Sequence, residues 1–385
     1  MKNPVPFRTP SLPAAKDKLL FTPGPLTTSL TVKAEMLHDL GSWDAEFNGI
    51  VADVRARLLK LAGLADEKGW EAILLQGSGT FGVEAVFQTC VPPQGKVAVL
   101  TNGAYGERIV QMLKHARIEH AVLRSAENTP HEPGALDALL ASDRAVTHVA
   151  IVHCETTTGI LNPLEELGRL ARKHGKIFVV DAMSSFGALA IDFQDACIDF
   201  LISSANKCVE GVPGFSFVLC KRAALMACEG FARSLSLDLL GQLKGFEKNG
   251  QFRYTPPTHA ILAFARALDE LELEGGAAAR EQRYRQNHRT LLDGMKHLGF
   301  RPYLSAAVQS CIITAFHTPT DPHFAFENFY RKLSARGFII YPGKLTQVDT
   351  FRIGSIGRVF PSDLEQLVQA TGAVLAEMEC TVPVK

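Results

Sequence analysis

Short apolar segments alternate with longer amphipathic ones along the first half of the chain, from about residue 72 onward. Six apolar runs predict strands: Ala72–Leu75, Lys96–Leu100, His148–Val152, Ile177–Val180, Phe200–Ser203 and Phe215–Leu219. Between them, the spacing of apolar residues predicts helices over Thr80–Cys90, Tyr105–Ala116, Leu136–Ala141 and Leu164–His174. This alternation is typical of an α/β fold, in which helices cover both faces of a mainly parallel sheet.

The pattern changes after the segment Tyr254–Pro257. Residues 259–298 have a helical pattern with one break at Glu274–Gly276. Beyond Phe300, strand-like runs (Cys311–Ala315, Phe338–Tyr341, Thr350–Ile353) mix with helical ones (Phe324–Arg336, Pro361–Met378). We therefore expect an N-terminal arm over residues 1–20, a large domain over residues 21–256 and a smaller C-terminal α+β domain over residues 257–385.

Composition and charge narrow the classes of function. The chain has 385 residues, and its 40 basic residues balance 40 acidic ones, so bulk charge gives no sign of a nucleic-acid or membrane-surface partner. The eight cysteines form no Cys-x-x-Cys pair and no Cys/His cluster with zinc-like spacing, so we expect no metal site. Scattered thiols, no signal-peptide pattern and no run of 18 apolar residues predict a cytoplasmic protein.

The segment Gln76–Thr80 follows a predicted strand and opens a predicted helix. Its glycines let the backbone come close to an anion, and the first N–H groups of a helix are unsatisfied donors. The hydroxyls of Ser78 and Thr80 can add hydrogen bonds, so this turn is a candidate phosphate cradle. It lacks the lysine of a nucleotide P-loop, and a plain strand-to-helix turn with a capping serine is the alternative.

Two further candidates follow buried strands. Asp181 comes directly after Ile177–Val180, at the sheet edge where α/β folds bind ligands, and a protonated pyridine nitrogen would be a suitable partner for its carboxylate. Lys207 lies among small residues after Phe200–Ser203, where an amine can form an imine with an aldehyde cofactor. Taken singly, a helix-capping aspartate and a solvent-facing lysine are the alternatives. Together with the cradle, the two residues predict anchors for one cofactor.

With the cradle, Asp181 and Lys207 in this order, the sequence resembles a known family, the fold-type I aminotransferases of class V. Within that class it resembles the enzymes that act on 2-aminoethylphosphonate and pyruvate. The resemblance covers positions 21 to 357, and the matching segments within it are Phe21–Leu26, Gly77–Thr80, Asn102–Gly106, His153–Gly159, Asp181–Ser185, Ser204–Cys208 and Phe351–Gly354. The resemblance implies a seven-stranded-type, mainly parallel sheet, pyridoxal 5′-phosphate as cofactor, a homodimer, and transfer of an amino group from 2-aminoethylphosphonate to pyruvate.

The resemblance also implies roles for single residues. Lys207 would hold the cofactor as a Schiff base and Asp181 its pyridine nitrogen, while Ser78, Gly79 and Thr80 would hold its phosphate. The other matching positions are Tyr105 (stacked on the ring), Thr157 (near the ring hydroxyl), Met183 (on the opposite ring face), Thr255 (on the phosphate of the neighbouring subunit), Arg352 (clamping the substrate anion) and Trp43 (close to the substrate).

Other functions remain open at this stage. An alanine–glyoxylate or serine–pyruvate aminotransferase would share every cofactor residue and differ only in substrate. A class V lyase such as a cysteine desulfurase needs a cysteine on a flexible loop, whereas Cys311 lies in a strand-like run. A cofactor-binding regulator would need a separate DNA-binding domain, for which the short proline-rich N-terminal segment leaves no room.

Overall fold

The structure is a computed structural model that describes residues 17–65, 69–345 and 347–385. Most of the predicted N-terminal arm, residues 1–16, lies outside the described residues. The strands are β1 Leu19–Leu20, β2 Trp70–Gln76, β3 Lys96–Thr101, β4 Glu119–Arg124, β5 Val146–Val152, β6 Cys154–Glu155, β7 Ile160–Leu161, β8 Ile177–Asp181, β9 Phe200–Ser204, β10 Phe215–Lys221, β11 Ile313–His317, β12 Phe338–Ile339, β13 Tyr341–Pro342 and β14 Thr350–Gly354.

The α-helices are α1 Leu30–Ala34, α2 Ala45–Leu61, α3 Gly79–Cys90, α4 Ala104–His115, α5 Pro133–Ser142, α6 Leu164–Lys173, α7 Arg222–Met226, α8 Leu239–Asn249, α9 Thr258–Glu274, α10 Gly276–His297, α11 Phe326–Ala335 and α12 Pro361–Glu377, and a 3₁₀ turn covers Glu35–Leu37. The predicted break at Glu274–Gly276 is confirmed, because it separates α9 from α10. Gly275 ends α9 with a φ of +109°, a conformation that glycine adopts without steric cost. No helix in the described ranges is long and apolar enough to cross a bilayer.

The large sheet has seven strands in the order β2-β10-β9-β8-β5-β3-β4. The pairs β4–β3, β3–β5, β5–β8 and β8–β9 are parallel, and β10 runs antiparallel to both of its neighbours. The predicted α/β fold with a mainly parallel sheet is therefore confirmed. Of the seven strands of this sheet, the sequence pattern missed β4, because it lies at the sheet edge, where its residues are only partly buried and form no long apolar run. The two-residue strands β1, β6 and β7, outside this sheet, were not predicted either.

Helix α3 packs closely on β9 and β10 because it carries a glycine where it meets the sheet. A Cβ atom at Gly82 would lie 2.8 Å from Ser216 Oγ and 3.0 Å from Ile202 Cγ2. The helix ends at Cys90, shortly before Pro92 and Pro93, which cannot continue it. This close contact fixes where the N-terminus of α3 lies relative to the carboxyl ends of the strands.

Two large groups of buried apolar side chains lie in different parts of the chain. The first runs from Val32 to Leu271 and covers both faces of the large sheet. The second joins Phe21 to residues from Leu291 to Val384, around the antiparallel sheet β11-β14-β13 and helices α10, α11 and α12. The sequence pattern assigned helix α9 to the smaller domain, but its buried residues pack in the first group. The boundary between the two groups therefore falls between Leu271 and Leu291. The division into domains itself stays a prediction.

Candidate active site

A cavity of about 170 Å³ lies at the carboxyl ends of the central strands. Val152, Asp181 and Ser204, the last residues of β5, β8 and β9, all line it, as does the first turn of α3. The sequence placed ligand binding at this edge, where parallel strands end together. Seven of the predicted site residues line the cavity: Ser78, Gly79, Thr80, Tyr105, Asp181, Met183 and Lys207.

Lys207 reaches this cavity from the loop after β9. Its Nζ donates a hydrogen bond of 2.7 Å to the carbonyl oxygen of Pro23. A Cβ atom at Gly24 would lie 2.5 Å from this Nζ, so a larger residue here would displace the end of the lysine side chain. Burial lowers the pKa of Lys207, and the amine forms no ion pair within the described ranges. The environment therefore favours the neutral amine, the form that can act as a nucleophile or a base.

Asp181 faces the same cavity with only 7% of its surface exposed. Its Oδ1 accepts a 2.9 Å hydrogen bond from the backbone N–H of Met183. Burial raises the pKa of Asp181 to about 6, and the charge of Glu155 adds to the increase. Of the residues that the structure describes, no cation forms an ion pair with this carboxylate. A buried carboxylate without a cation is costly, so a positively charged ligand atom would stabilise it.

The turn before α3 has the geometry of an anion site. Ser78 caps the helix without a side-chain capping bond, so its hydroxyl is available, and the N–H groups of the first turn have no helical partner. Gly79 lets the turn pack on Met183, because a Cβ there would lie 2.2 Å from the Met183 sulfur. Arg108, a residue that no sequence pattern indicated, also lines the cavity, and its Nη1 lies 3.4 Å from Thr80 Oγ1.

Ser204 and Asn206 line the cavity as well, and neither was given a role from the sequence. They flank Ala205 just before the lysine, and Ser204 Oγ donates a 3.1 Å hydrogen bond to Asn206 Oδ1. Small polar residues at a strand end were the signal that could have identified them. Together with the cradle and Arg108, they give the cavity several hydrogen-bond donors for a phosphate group.

Tyr105 is held in place by a buried carboxylate. Glu155, with 0% of its surface exposed, accepts hydrogen bonds on Oε2 from the N–H groups of Tyr105 (3.1 Å) and Gly106 (3.2 Å). Its Oε1 accepts from the N–H (3.0 Å) and hydroxyl (2.7 Å) of Thr157. Burial raises the pKa of Glu155, although the bonds from Thr157 favour the charged form. Glu155 thus ties the loop after β6 to the start of α4.

Thr157 was expected near the cofactor ring, but it does not line the cavity. Its hydroxyl donates to Glu155 and accepts a 2.8 Å hydrogen bond from the N–H of Ala104. The neighbouring Thr156 lines the cavity instead. In this structure Thr157 therefore contributes to the support of Tyr105, and its contact with a ring hydroxyl stays a prediction.

Arg352 lies in the middle of β14 and is 1% exposed. Its Nε donates to the carbonyl of Pro342 (2.9 Å) and its Nη1 to the carbonyl of Thr156 (2.8 Å). Burial lowers the pKa of Arg352, and within the described part of the chain no carboxylate forms an ion pair with it. A buried guanidinium whose charge is not neutralised by a carboxylate of the described residues keeps that charge available for an anionic ligand.

Besides Thr157 and Arg352, two further predicted site residues do not line the cavity of this chain. The side chain of Trp43 is 80% exposed, and Thr255 is exposed while its carbonyl oxygen accepts a 3.0 Å hydrogen bond from Gln76 Nε2. Neither lines the cavity. Thr255 nevertheless lies beside the cradle, because Gln76 immediately precedes the turn Gly77–Thr80. Their roles toward substrate and cofactor stay predictions.

Comparison with known proteins identifies the family. The chain is 52% identical over 353 residues, 91% of its length and 95% of the relative, to 2-aminoethylphosphonate–pyruvate transaminase of Syntrophobacter fumaroxidans. It is 51% identical over 358 residues, 92% of its length and 97% of the relative, to the transaminase of the same name from Klebsiella pneumoniae.

Among solved structures, ureidoglycine–glyoxylate aminotransferase from Bacillus subtilis superposes with a TM-score of 0.86 at 22% identity, over 96% of this chain and 95% of that one. That likeness concerns the fold alone. The family model "Aminotransferase class-V" matches residues 29–338. The chain therefore belongs to the class-V aminotransferases.

Proposed function

We propose that this protein transfers the amino group of 2-aminoethylphosphonate to pyruvate, which yields phosphonoacetaldehyde and alanine, with pyridoxal 5′-phosphate as its cofactor. The observation that carries the proposal is a pair of buried groups on one cavity. The amine of Lys207 and the carboxylate of Asp181 both face it, and neither has an ion-pair partner among the described residues. One ligand with a carbonyl carbon and a protonated ring nitrogen would satisfy both.

The residues around the cavity fit the parts of this cofactor. Asp181 would hold the protonated ring nitrogen, and the first turn of α3, with Ser78, Thr80 and Arg108, would hold the phosphate. Tyr105 and Met183 offer an aromatic and an apolar surface on the cavity wall for the two ring faces. When bound, pyridoxal phosphate supplies a carbonyl carbon that takes up and releases the amino group, and a ring that accepts electrons from the substrate carbon.

Lys207 moves the proton in this reaction. Its Nζ takes a proton from the amino-bearing carbon of the donor and later returns it, which requires a neutral amine at working pH. Burial supplies that condition, since it lowers the pKa of the lysine. Arg352 holds the acidic group of each substrate with its planar fork and so orients the amino-bearing carbon toward Lys207.

The choice of substrate rests on the relatives. Both relatives described above carry the name 2-aminoethylphosphonate–pyruvate transaminase, and each is at least half identical to this chain over more than nine tenths of its length. For the alternative from the sequence, an alanine–glyoxylate or serine–pyruvate aminotransferase, the solved alanine–glyoxylate aminotransferase from Nostoc sp. is 22% identical to this chain, a likeness that concerns the fold alone. The substrate assignment therefore favours the phosphonate.

A half-reaction experiment tests the proposal. The purified protein, loaded with pyridoxal phosphate, is mixed with 2-aminoethylphosphonate and no pyruvate, while its visible absorption and the released aldehyde are recorded. Because one site serves both substrates in turn, we expect one equivalent of phosphonoacetaldehyde per bound cofactor and then no more until pyruvate is added. Serine and alanine serve as competing donors. No aldehyde without pyruvate, or faster turnover of serine with pyruvate or glyoxylate, would reject the assignment.

We also propose that the protein works as a homodimer. Trp43, Phe81 and Tyr254 are large side chains that are exposed in a single chain. Two of them lie next to the cradle: Phe81 packs near Gly77, and the carbonyl oxygen of Tyr254 accepts a hydrogen bond from Gln76. Burial of such residues against a second copy would bring Thr255 toward the partner's cavity. Light scattering of the purified protein should give twice the chain mass of 41.9 kDa.

All eight cysteines are free, which fits a reducing compartment such as the cytoplasm.

A further inference from the structure

Lys344 lies near Arg352, the residue proposed to bind the acidic group of each substrate. The proposed reaction gives Lys344 itself no role. Lys344 follows β13, whose Tyr341 pairs with Arg352 on β14. Its Nζ is 3.4 Å from the hydroxyl oxygen of Tyr105 and 4.7 Å from the centre of the Tyr105 ring. Tyr105 in turn lines the cavity. The ammonium group of Lys344 therefore stands at the mouth of the active site, on the side of Arg352.

The charges at this mouth are unbalanced. In the described parts of the chain, neither Lys344 nor Arg352 forms an ion pair with a carboxylate, and Lys344 is held by an aromatic ring and a hydroxyl. Burial would raise the pKa of Tyr105, yet the positive charges of Lys207 and Lys344 lower it overall. Lys344 and Arg352 thus place two cations near one tyrosine hydroxyl, and an arriving anion with more than one charge would relieve their repulsion.

The two proposed substrates differ in the acidic group that they present here. The carboxylate of pyruvate or alanine is planar, carries one charge and is bonded directly to the reacting carbon. A phosphonate has three oxygens in a tetrahedral arrangement and lies one carbon farther from the amino-bearing carbon. Like a phosphate ester, whose second pKa is about 6, it can carry a second charge near neutral pH. The Arg352 fork can bind two oxygens, so a phosphonate leaves one oxygen and part of its charge without a partner.

We infer that Lys344 is a specificity-determining residue that binds the third oxygen of the phosphonate and so favours phosphonate donors over carboxylate donors. An ammonium group suits this role because it is a compact point charge whose donors need no planar partner. Lys344 is exposed whereas Arg352 is buried, so the ammonium group lies on the solvent side of the guanidinium. This inference rests on the proposed function, and it adds the residue that distinguishes the two half-reactions at one shared clamp.

The experiment compares Lys344→Met with wild type in separate half-reactions of the cofactor-loaded protein. With 2-aminoethylphosphonate as donor, kcat/KM should fall about tenfold or more, the usual loss for one charge-assisted hydrogen bond. With alanine as donor, it should change by less than about twofold. Lys344→Arg, which keeps the charge, should restore part of the phosphonate reaction. Lys114→Met is the matched control, because Lys114 is an exposed lysine at the far end of α4, the helix that contains Tyr105 in its first turn. This variant should leave both reactions unchanged.

Binding without chemistry gives a second readout. Calorimetry with ethylphosphonate and with propionate should show weaker binding of the phosphonate alone in Lys344→Met. Equal losses for both donors, or no loss for either, would overturn the role of Lys344 while the proposed function stands. If wild type itself does not react with 2-aminoethylphosphonate, the proposed function fails first and the inference fails with it.

Discussion

The proposed cofactor half of the site, formed by Asp181, Lys207 and the turn Ser78–Thr80, is assembled differently from the proposed substrate half. The substrate half consists of Tyr105, Lys344 and Arg352, of which Tyr105 lines the cavity itself. The cofactor half follows the ends of three strands of one sheet, β2, β8 and β9, and contains a buried carboxylate. The substrate half joins the start of α4 to the antiparallel sheet of the second core, and its charged groups are cations. In the proposed reaction, the chemistry common to all donors depends on the first half, whereas the choice among donors depends on the second.

The most severe test of the cofactor half is Lys207→Ala. Without the buried amine, no group is placed to move the proton, so turnover should fall by about 10³-fold or more with every donor. The protein should also lose the visible absorption that wild type shows with pyridoxal phosphate. Lys114→Ala, on the exposed surface, is the control and should retain both. Turnover of any donor at more than a tenth of the wild-type rate would refute the assignment of Lys207.

A second test uses the titration of Asp181 in the cofactor-free protein. Burial raises its pKa to about 6, above the value of about 3.9 for an unfolded aspartate, so the folded state holds this proton more tightly. The stability that this group contributes is therefore complete below about pH 4 and is lost as the pH rises through 6. The difference of roughly two units corresponds to about 3 kcal/mol of unfolding free energy.

Urea unfolding of wild type and Asp181→Asn between pH 4 and pH 7.5 measures this effect. Relative to the asparagine variant, cofactor-free wild type should lose stability as the pH rises. With pyridoxal phosphate bound, the order should reverse at pH 7, because the carboxylate then has a cation to pair with. Parallel pH curves for the two cofactor-free proteins would mean that Asp181 is not buried as an unpaired acid.

In the substrate half, Arg352→Met separates the clamp from the selecting residue. Because the buried guanidinium should bind the acidic group of both donors, its loss should lower kcat/KM about 100-fold for 2-aminoethylphosphonate and alanine alike. Lys344→Met should affect the phosphonate alone. Arg331→Met, on the exposed face of α11, controls for the loss of an arginine elsewhere. A loss confined to one donor in Arg352→Met would show that the two substrates do not share this clamp.

The two halves also differ in how far the sequence could predict them. Asp181 and Lys207 follow apolar runs that are recognisable locally, and the rule that ligands bind at the carboxyl ends of parallel strands placed them on the same edge. The site of Lys344 could not be predicted this way, because only folding brings residue 344 to residue 105. Trp43 and Thr255 were assigned by resemblance, and a single chain leaves them outside its cavity.

Glu155 illustrates the same limit between the two halves. The sequence placed it inside a matching segment without a role, although an acidic residue among small polar ones after a buried strand was a usable signal. Its position matters because it holds Tyr105 of the substrate half and, through its charge, raises the pKa of Asp181 in the cofactor half, where burial is the larger cause. The residue thus connects the two halves without lining the cavity.

Glu155→Gln should show the smallest of these effects and the most mixed one. Each carboxylate oxygen accepts two hydrogen bonds, so an amide in either orientation would point its NH₂ group at two donors. The buried donors left without an acceptor should lower the unfolding free energy by about 2 kcal/mol, measurable as a lower urea midpoint. Glu107→Gln, an exposed residue of α4 paired with Arg124, should leave the midpoint unchanged. If Glu155 were a purely structural residue, Glu155→Gln would change only the urea midpoint. If Glu155 also places Tyr105 and opposes ionisation of Asp181, its variant should lower kcat for both donors and move the pH dependence of the cofactor-free protein toward lower pH. An unchanged pH dependence beside a lowered midpoint would leave Glu155 a structural residue and the two halves electrostatically independent.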